Sequence, residues 1–176
     1  MSEEEQDQEA ATQAGEEPAR RFQIHRIYLK DVSFESPATP GLFAAGTDFQ
    51  PSINFQLNTE QSQIGERLYE VVLGVTVTAT HQERTVFLVE LKQAGLFEIT
   101  GFEEEAFNQM VGAYCPAILY PYVRAAVADL VQRGALPPVL LQPINFDAVY
   151  ARERARQQEG AEAGADPSSE TSETAS

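Results

Sequence analysis

The chain is poor in thiols, imidazoles and bases, and each shortage removes a class of chemistry. Its one cysteine, Cys115, cannot close an intrachain disulfide, and nothing resembles paired metal-thiolate spacing. The two histidines, His25 and His81, lie far apart in sequence, so no imidazole has a His or Cys companion for metal binding or nucleophilic catalysis. Lys and Arg number 12 against 27 Asp and Glu, a formal net charge of -15. A chain this acidic is unsuited to coating nucleic-acid phosphates or anionic membrane surfaces, both of which require positive charge. No apolar run approaches the ~20 residues that span a bilayer. The N-terminus has neither the basic start nor the apolar stretch of a secretion signal. A cytoplasmic protein is therefore expected.

Most of the net charge sits at the ends. Residues 1–19 hold Glu3, Glu4, Glu5, Asp7, Glu9, Glu16 and Glu17; residues 159–176 hold Glu159, Glu162, Asp166, Glu170 and Glu173; neither segment has a base. Both are too poor in apolar residues to offset the entropy of ordering, so both are expected to be disordered tails flanking one domain at residues 20–158.

That domain reads as β first and α second. From Phe22 to Glu35, positions Phe22, Ile24, Tyr28, Val32 and Phe34 share one parity. Phe49–Asn58 alternates, with Ile53, Phe55 and Leu57 on one face and amides on the other. Between Tyr69 and Ala79 every odd position is apolar or aromatic, and a polar turn at His81–Arg84 leads into a further strand that Thr85 to Lys92 starts. Glu103, Glu104 and Glu105 open a helix at its positive end, and Pro116 is expected to stop it. A longer helix is expected to start near Pro121 and end at Gly134, and Asn145 to cap a last one carrying Phe146, Val149 and Tyr150. Strands followed by helices imply an α+β fold, a four-stranded antiparallel sheet with helices packed on one face.

The second sheet face then needs an explanation. The 85–92 strand is apolar on both parities: Phe87, Val89 and Leu91 point one way, Val86 and Leu88 the other. Homo-oligomerisation and an open surface for apolar partners both answer this, and they can coexist. By strand parity Asp31 and Glu35 are expected on one face with Ile27 and Leu29, and Glu90 beside Leu88. A leucine among carboxylates fits either a docking patch for a basic partner or a solvated acidic face. Gly95 and Gly101 superficially resemble a phosphate loop, but a phosphate there would meet Glu103, Glu104 and Glu105. No constellation supports catalysis, and no cofactor or metal is expected.

Several ordered blocks carry a family resemblance: Ile27-Tyr28, Lys30-Asp31-Val32-Ser33-Phe34-Glu35, Leu68-Tyr69-Glu70-Val71-Val72-Leu73, Val75-Thr76-Val77-Thr78-Ala79, Gly112-Ala113-Tyr114-Cys115-Pro116 and Pro143-Ile144-Asn145-Phe146-Asp147-Ala148. Over nearly all of residues 22–150 the chain resembles SecB, the bacterial protein-export chaperone family. The resemblance implies a homotetramer, a dimer of dimers, that is not an enzyme and needs no nucleotide. Such a protein holds unfolded precursor proteins in the cytoplasm, keeps them translocation-competent and passes them to the SecA ATPase. It further implies SecA contacts at Asp31, Glu35, Leu88 and Glu90, facing a basic, zinc-bearing SecA tail whose metal belongs to the partner. Phe87, Val89 and Leu91 match the region on which the oligomer interface depends. A client-binding groove is expected along Phe43, Phe49, Ile53, Phe55 and Leu57. Family members often carry tryptophan at the place of Phe49, and charges where Asn54 and Gln56 stand here. Two other readings are a SecB-like chaperone dedicated to a toxin–antitoxin pair and a non-chaperone oligomeric scaffold.

Overall fold

The computed structural model describes residues 19–44, 46 and 50–163. Four strands, β1 (Arg21–Glu35), β2 (Ser52–Gln63), β3 (Leu68–His81) and β4 (Arg84–Thr100), form one antiparallel sheet in the order β1-β4-β3-β2. A short helix, α1 (Gly41–Ala44), interrupts the crossover from β1 to β2. Helix α2 (Glu104–Gln109), a π turn (Met110–Tyr114), α3 (Cys115–Arg133) and α4 (Phe146–Ala163) follow. The α+β expectation holds. α4 runs five residues past the boundary placed at 158, and most of both acidic end segments lies outside the described residues.

The core lies between the sheet and α3. Val71, Leu73, Val75, Val77 and Ala79 of β3 point into it, with Phe87, Val89, Leu91, Phe97 and Ile99 of β4, against Leu119, Val123, Val127 and Val131. The period of two in the strands and of about 3.6 in α3 makes these faces coincide.

Four expectations are extended or corrected. β4, which Thr85 to Lys92 is expected to start, continues to Thr100, and Gly95 is a strand residue. A Cβ there would stand 2.6 Å from the Phe97 ring and 3.1 Å from Leu119, so glycine is what lets that ring lie flat on its own strand. β2 runs on through the polar residues Thr59–Gln63, held by pairing with Tyr69–Leu73 rather than by burial. Pro116 does not stop a helix. The preceding π turn, in which the Cys115 N–H donates to the Met110 carbonyl, widens the coil just where proline lacks a donor. α3 then runs unbroken through Pro121. The α3 C-terminus falls at Gly134 as expected, but the left-handed residue is Ala135 (φ 57°). Gly134 is required by the Phe34 ring, 2.5 Å from where its Cβ would be.

The fourth correction decides which side chains share a face. Bulges between Ile24 and Arg26, and between Leu29 and Asp31, shift the β1 register against β4. Phe22, Ile24, Ile27, Leu29, Val32 and Phe34 therefore lie on the helix side. Tyr28, Asp31, Ser33 and Glu35 face the bare side with Leu88 and Glu90. Asp31 and Glu35 do not share a face with Ile27 and Leu29.

Candidate functional site: an acidic sheet face and an apolar cleft

The bare side of the sheet carries two electrostatic zones. At one end its carboxylates are neutralised. Glu70 accepts from Lys30 Nζ at 2.6 Å and from the Tyr28 hydroxyl. These two donors hold its carboxyl below the usual range, while the Tyr28 phenol is pushed up to about 12 by bonding to Glu70. Glu98 sits 3.0 Å from His25 Nε2 and 3.5 Å from Arg21, and the histidine contact is the main reason its carboxyl titrates low.

At the other end the acids form no ion pair among the described residues. Glu35 pairs in register with Leu88, which also faces Thr78; Glu90 lies between Ser33 and Thr76; Asp31 lies opposite Lys92. The Asp31 carboxylate accepts the Val32 N–H at 3.0 Å. Yet none of Asp31, Glu35 and Glu90 forms an ion pair among the described residues. Asp31, Glu90 and Lys92 line a shallow hollow of about 230 Å³ over Gly74, whose missing side chain leaves room for Asn58 to fold across. The structure thus brings all four expected docking residues onto one face, around a half-buried leucine.

The expected groove residues are less united. Ile53 is 40% exposed and lines an apolar hollow of about 340 Å³ with Pro51, Phe87, Leu136, Pro137, Pro138 and Val139. Phe55 and Leu57 pack half-buried against the core, Phe43 is exposed on α1, and Phe49 lies outside the described residues. A larger hollow, about 800 Å³, opens between the 37–42 segment and the β3–β4 turn, over Val86. The 136–139 wall was missed as a site. Its signal was present in an apolar run split by Pro137 and Pro138, which cannot donate backbone hydrogen bonds to a strand or helix. The residues that follow this strap are tied to α3 by Tyr120, whose hydroxyl donates to the Gln142 carbonyl at 2.5 Å, and by Arg124 Nε, which donates to the Leu141 carbonyl at 2.8 Å.

Phe87, Val89 and Leu91, expected at the oligomer interface, are each at most 2% exposed and belong to the protomer's own core. They can affect assembly only through the integrity of β4. The exposed apolar side chains of the sheet include Ile24, Leu29 and Val32 on β1 and Ile53 on β2.

Comparison with known proteins agrees with this architecture. The model of the family described as preprotein translocase subunit SecB matches residues 15–157. The chain belongs to the SecB family. The protein-export protein SecB of Alcanivorax borkumensis is 48% identical over 151 residues, covering 84% of this chain and 95% of the relative. That of Methylococcus capsulatus is 46% identical over 142 residues, 81% and 90% of the two chains. Among solved structures, the Mycobacterium tuberculosis SecB-like chaperone in complex with a peptide from the HigA1 antitoxin superposes with a TM-score of 0.60 at 22% identity. It covers 70% of this chain and 91% of that one, a likeness of fold. The SecB family is one of protein-export chaperones, not of enzymes. No helix among the described residues is long and apolar enough to cross a membrane.

Proposed function

We propose that this SecB protein is an ATP-independent holdase of the cytoplasm, which keeps unfolded precursors translocation-competent and delivers them to SecA. The observation that carries the reading is the separation of an acidic surface from an apolar one. Three carboxylates that form no ion pair among the described residues surround Leu88 on the bare sheet face, while the apolar hollow at Ile53 and Phe87 opens on the helix side. The first has the charge to steer a basic partner and an apolar anchor to hold it. The second takes apolar client segments, at about 25 cal/mol per Å² of apolar area removed from water. In a homotetramer, several such hollows act on one client, and avidity multiplies modest site affinities.

Two measurements test it. Light scattering of an aggregating precursor, with a size-exclusion mass for the chaperone, should show a tetramer suppressing aggregation without ATP. A tetramer that protects nothing returns the chain to a scaffold or to a single cognate partner. In the second, Leu88→Arg and Glu90→Lys should each reduce SecA binding by at least about tenfold, the loss of one buried anchor or charge contact. Client protection should stay unchanged; loss of both activities together would refute separate surfaces.

A further inference from the structure

The polar hollow between β2, the π turn and α4 has no part in that reading. It measures about 410 Å³, and its walls include Gln61, Asn108, Tyr150, Glu153, Arg154 and Gln157. The amides of Gln61, Asn108 and Gln157 form no side-chain hydrogen bond among the described residues. Arg154 lies over the Tyr150 ring at 5.9 Å, and its ion pair with Glu105 is 3.7 Å long, beyond hydrogen-bond reach. Arg152 and Arg156 on the same helix form no ion pair among the described residues. The hollow therefore offers amide and guanidinium donors, with Glu105 and Glu153 as the acids beside them. Such a donor set is suited to carboxylates in a polar peptide.

The chain carries that peptide. Glu3, Glu4, Glu5, Asp7 and Glu9 fall within seven residues that contain no base. The segment also reaches. Gln61 pairs with Val71, Val71 with Gly95, and Gly95 with Ile27, three strand spacings or about 14 Å. From Ile27 back to Ala19 is about 26 Å along β1, so the diagonal is about 30 Å. Nine or ten extended residues span roughly that distance, so the chain before Ala19 is long enough for Glu9 and the acids before it to reach the hollow. The segment after residue 163 has only Asp166, Glu170 and Glu173, spread more widely.

We propose that the acidic N-terminal segment, residues 3–9, docks in the polar hollow beneath α4 of the same copy, with Arg154 as its central cation. This holds those carboxylates on the helix side, away from the face where Asp31, Glu35 and Glu90 stand.

The test uses the full chain with Gln8→Cys carrying a benzophenone. Cys115 is buried, its thiol pushed up to about 12 by desolvation, so the label goes to position 8. Light- and heavy-isotope copies are mixed, illuminated and mapped by mass spectrometry. Cross-links should fall within one copy on peptides containing Asn108 or Tyr150–Gln157. They should drop at least about fivefold in ~0.5 M salt, which screens exposed charge. The same drop is expected when Glu3, Glu4, Glu5 and Glu9→Gln are combined with Asp7→Asn, a variant that leaves every described residue intact, and with Arg154→Gln. Cross-links to another surface, to a different copy, or insensitive to neutralising the acids would overturn the proposal.

Discussion

Cys115 shows how far burial alone decides chemistry. It is fully enclosed at the start of α3, and desolvation raises its thiol to about 12. A thiol reagent at pH 8 is expected to leave the native protein unmodified and to titrate one thiol after denaturation; rapid native reaction would mean that the π turn opens. Glu70 supplies a pH response of definite sign. Lys30, then Tyr28, stabilise its ionised form in the folded state, so its folded pKa lies below the unfolded one. Its contribution is present above the ordinary carboxylate range and is lost as pH falls through the folded value. Between about pH 5 and about pH 3 the urea midpoint of the protein should therefore fall more than that of Glu70→Gln, and parallel slopes would contradict the assignment. Glycine matters where rings press close. At Gly112 a Cβ would meet the Tyr150 ring at 2.5 Å, so Gly112→Ala should lose about 1–3 kcal/mol by overpacking the seat of α4. A thermal melt that does not shift would show that Tyr150 moves freely.

At the scale of elements, the β3–β4 hairpin closes on a two-residue loop in which both residues are left-handed, Gln82 at φ 48° and Glu83 at φ 62°. That is the backbone a tight hairpin demands, built here from residues that resist it. Glu83→Gly should raise stability by about 1 kcal/mol, read as a higher urea midpoint. The reading of β3 needed only alternation, and its register and burial agree. β1 was harder, because two bulges each move the pattern by one residue, and a parity count cannot register a residue that has no partner. The α2–α3 join was misread for a related reason. Proline marks a helix break only where the coil has ordinary pitch, and the π turn before Pro116 does not.

For the whole molecule, the apolar surface left on a single copy asks for a partner. Ile24, Leu29 and Val32 are 42%, 48% and 40% exposed, on the helix side of an edge strand. Replacing Leu29 and Val32 by lysine should lower the solution mass while the far-UV spectrum stays native. An unchanged mass would place the subunit contact elsewhere and leave β1 to another role.

The order of strands before helices, the apolar faces of β3 and α3, the acidic ends and the ordered family blocks were all legible in the residues. Each depends on local periodicity, composition or a run of residues in register. Which acids are neutralised was not legible. Glu70 and Glu98 look in sequence like Glu35 and Glu90, and they differ because Lys30 and Tyr28, or His25 and Arg21, arrive from a strand forty or more residues away. Nor could sequence bring the 136–139 strap beside Ile53, or separate Asp31 from Leu29 across a bulge. Those outcomes rest on strand pairing and packing between distant segments, where free energy is set by what the neighbouring chain supplies rather than by the residue itself.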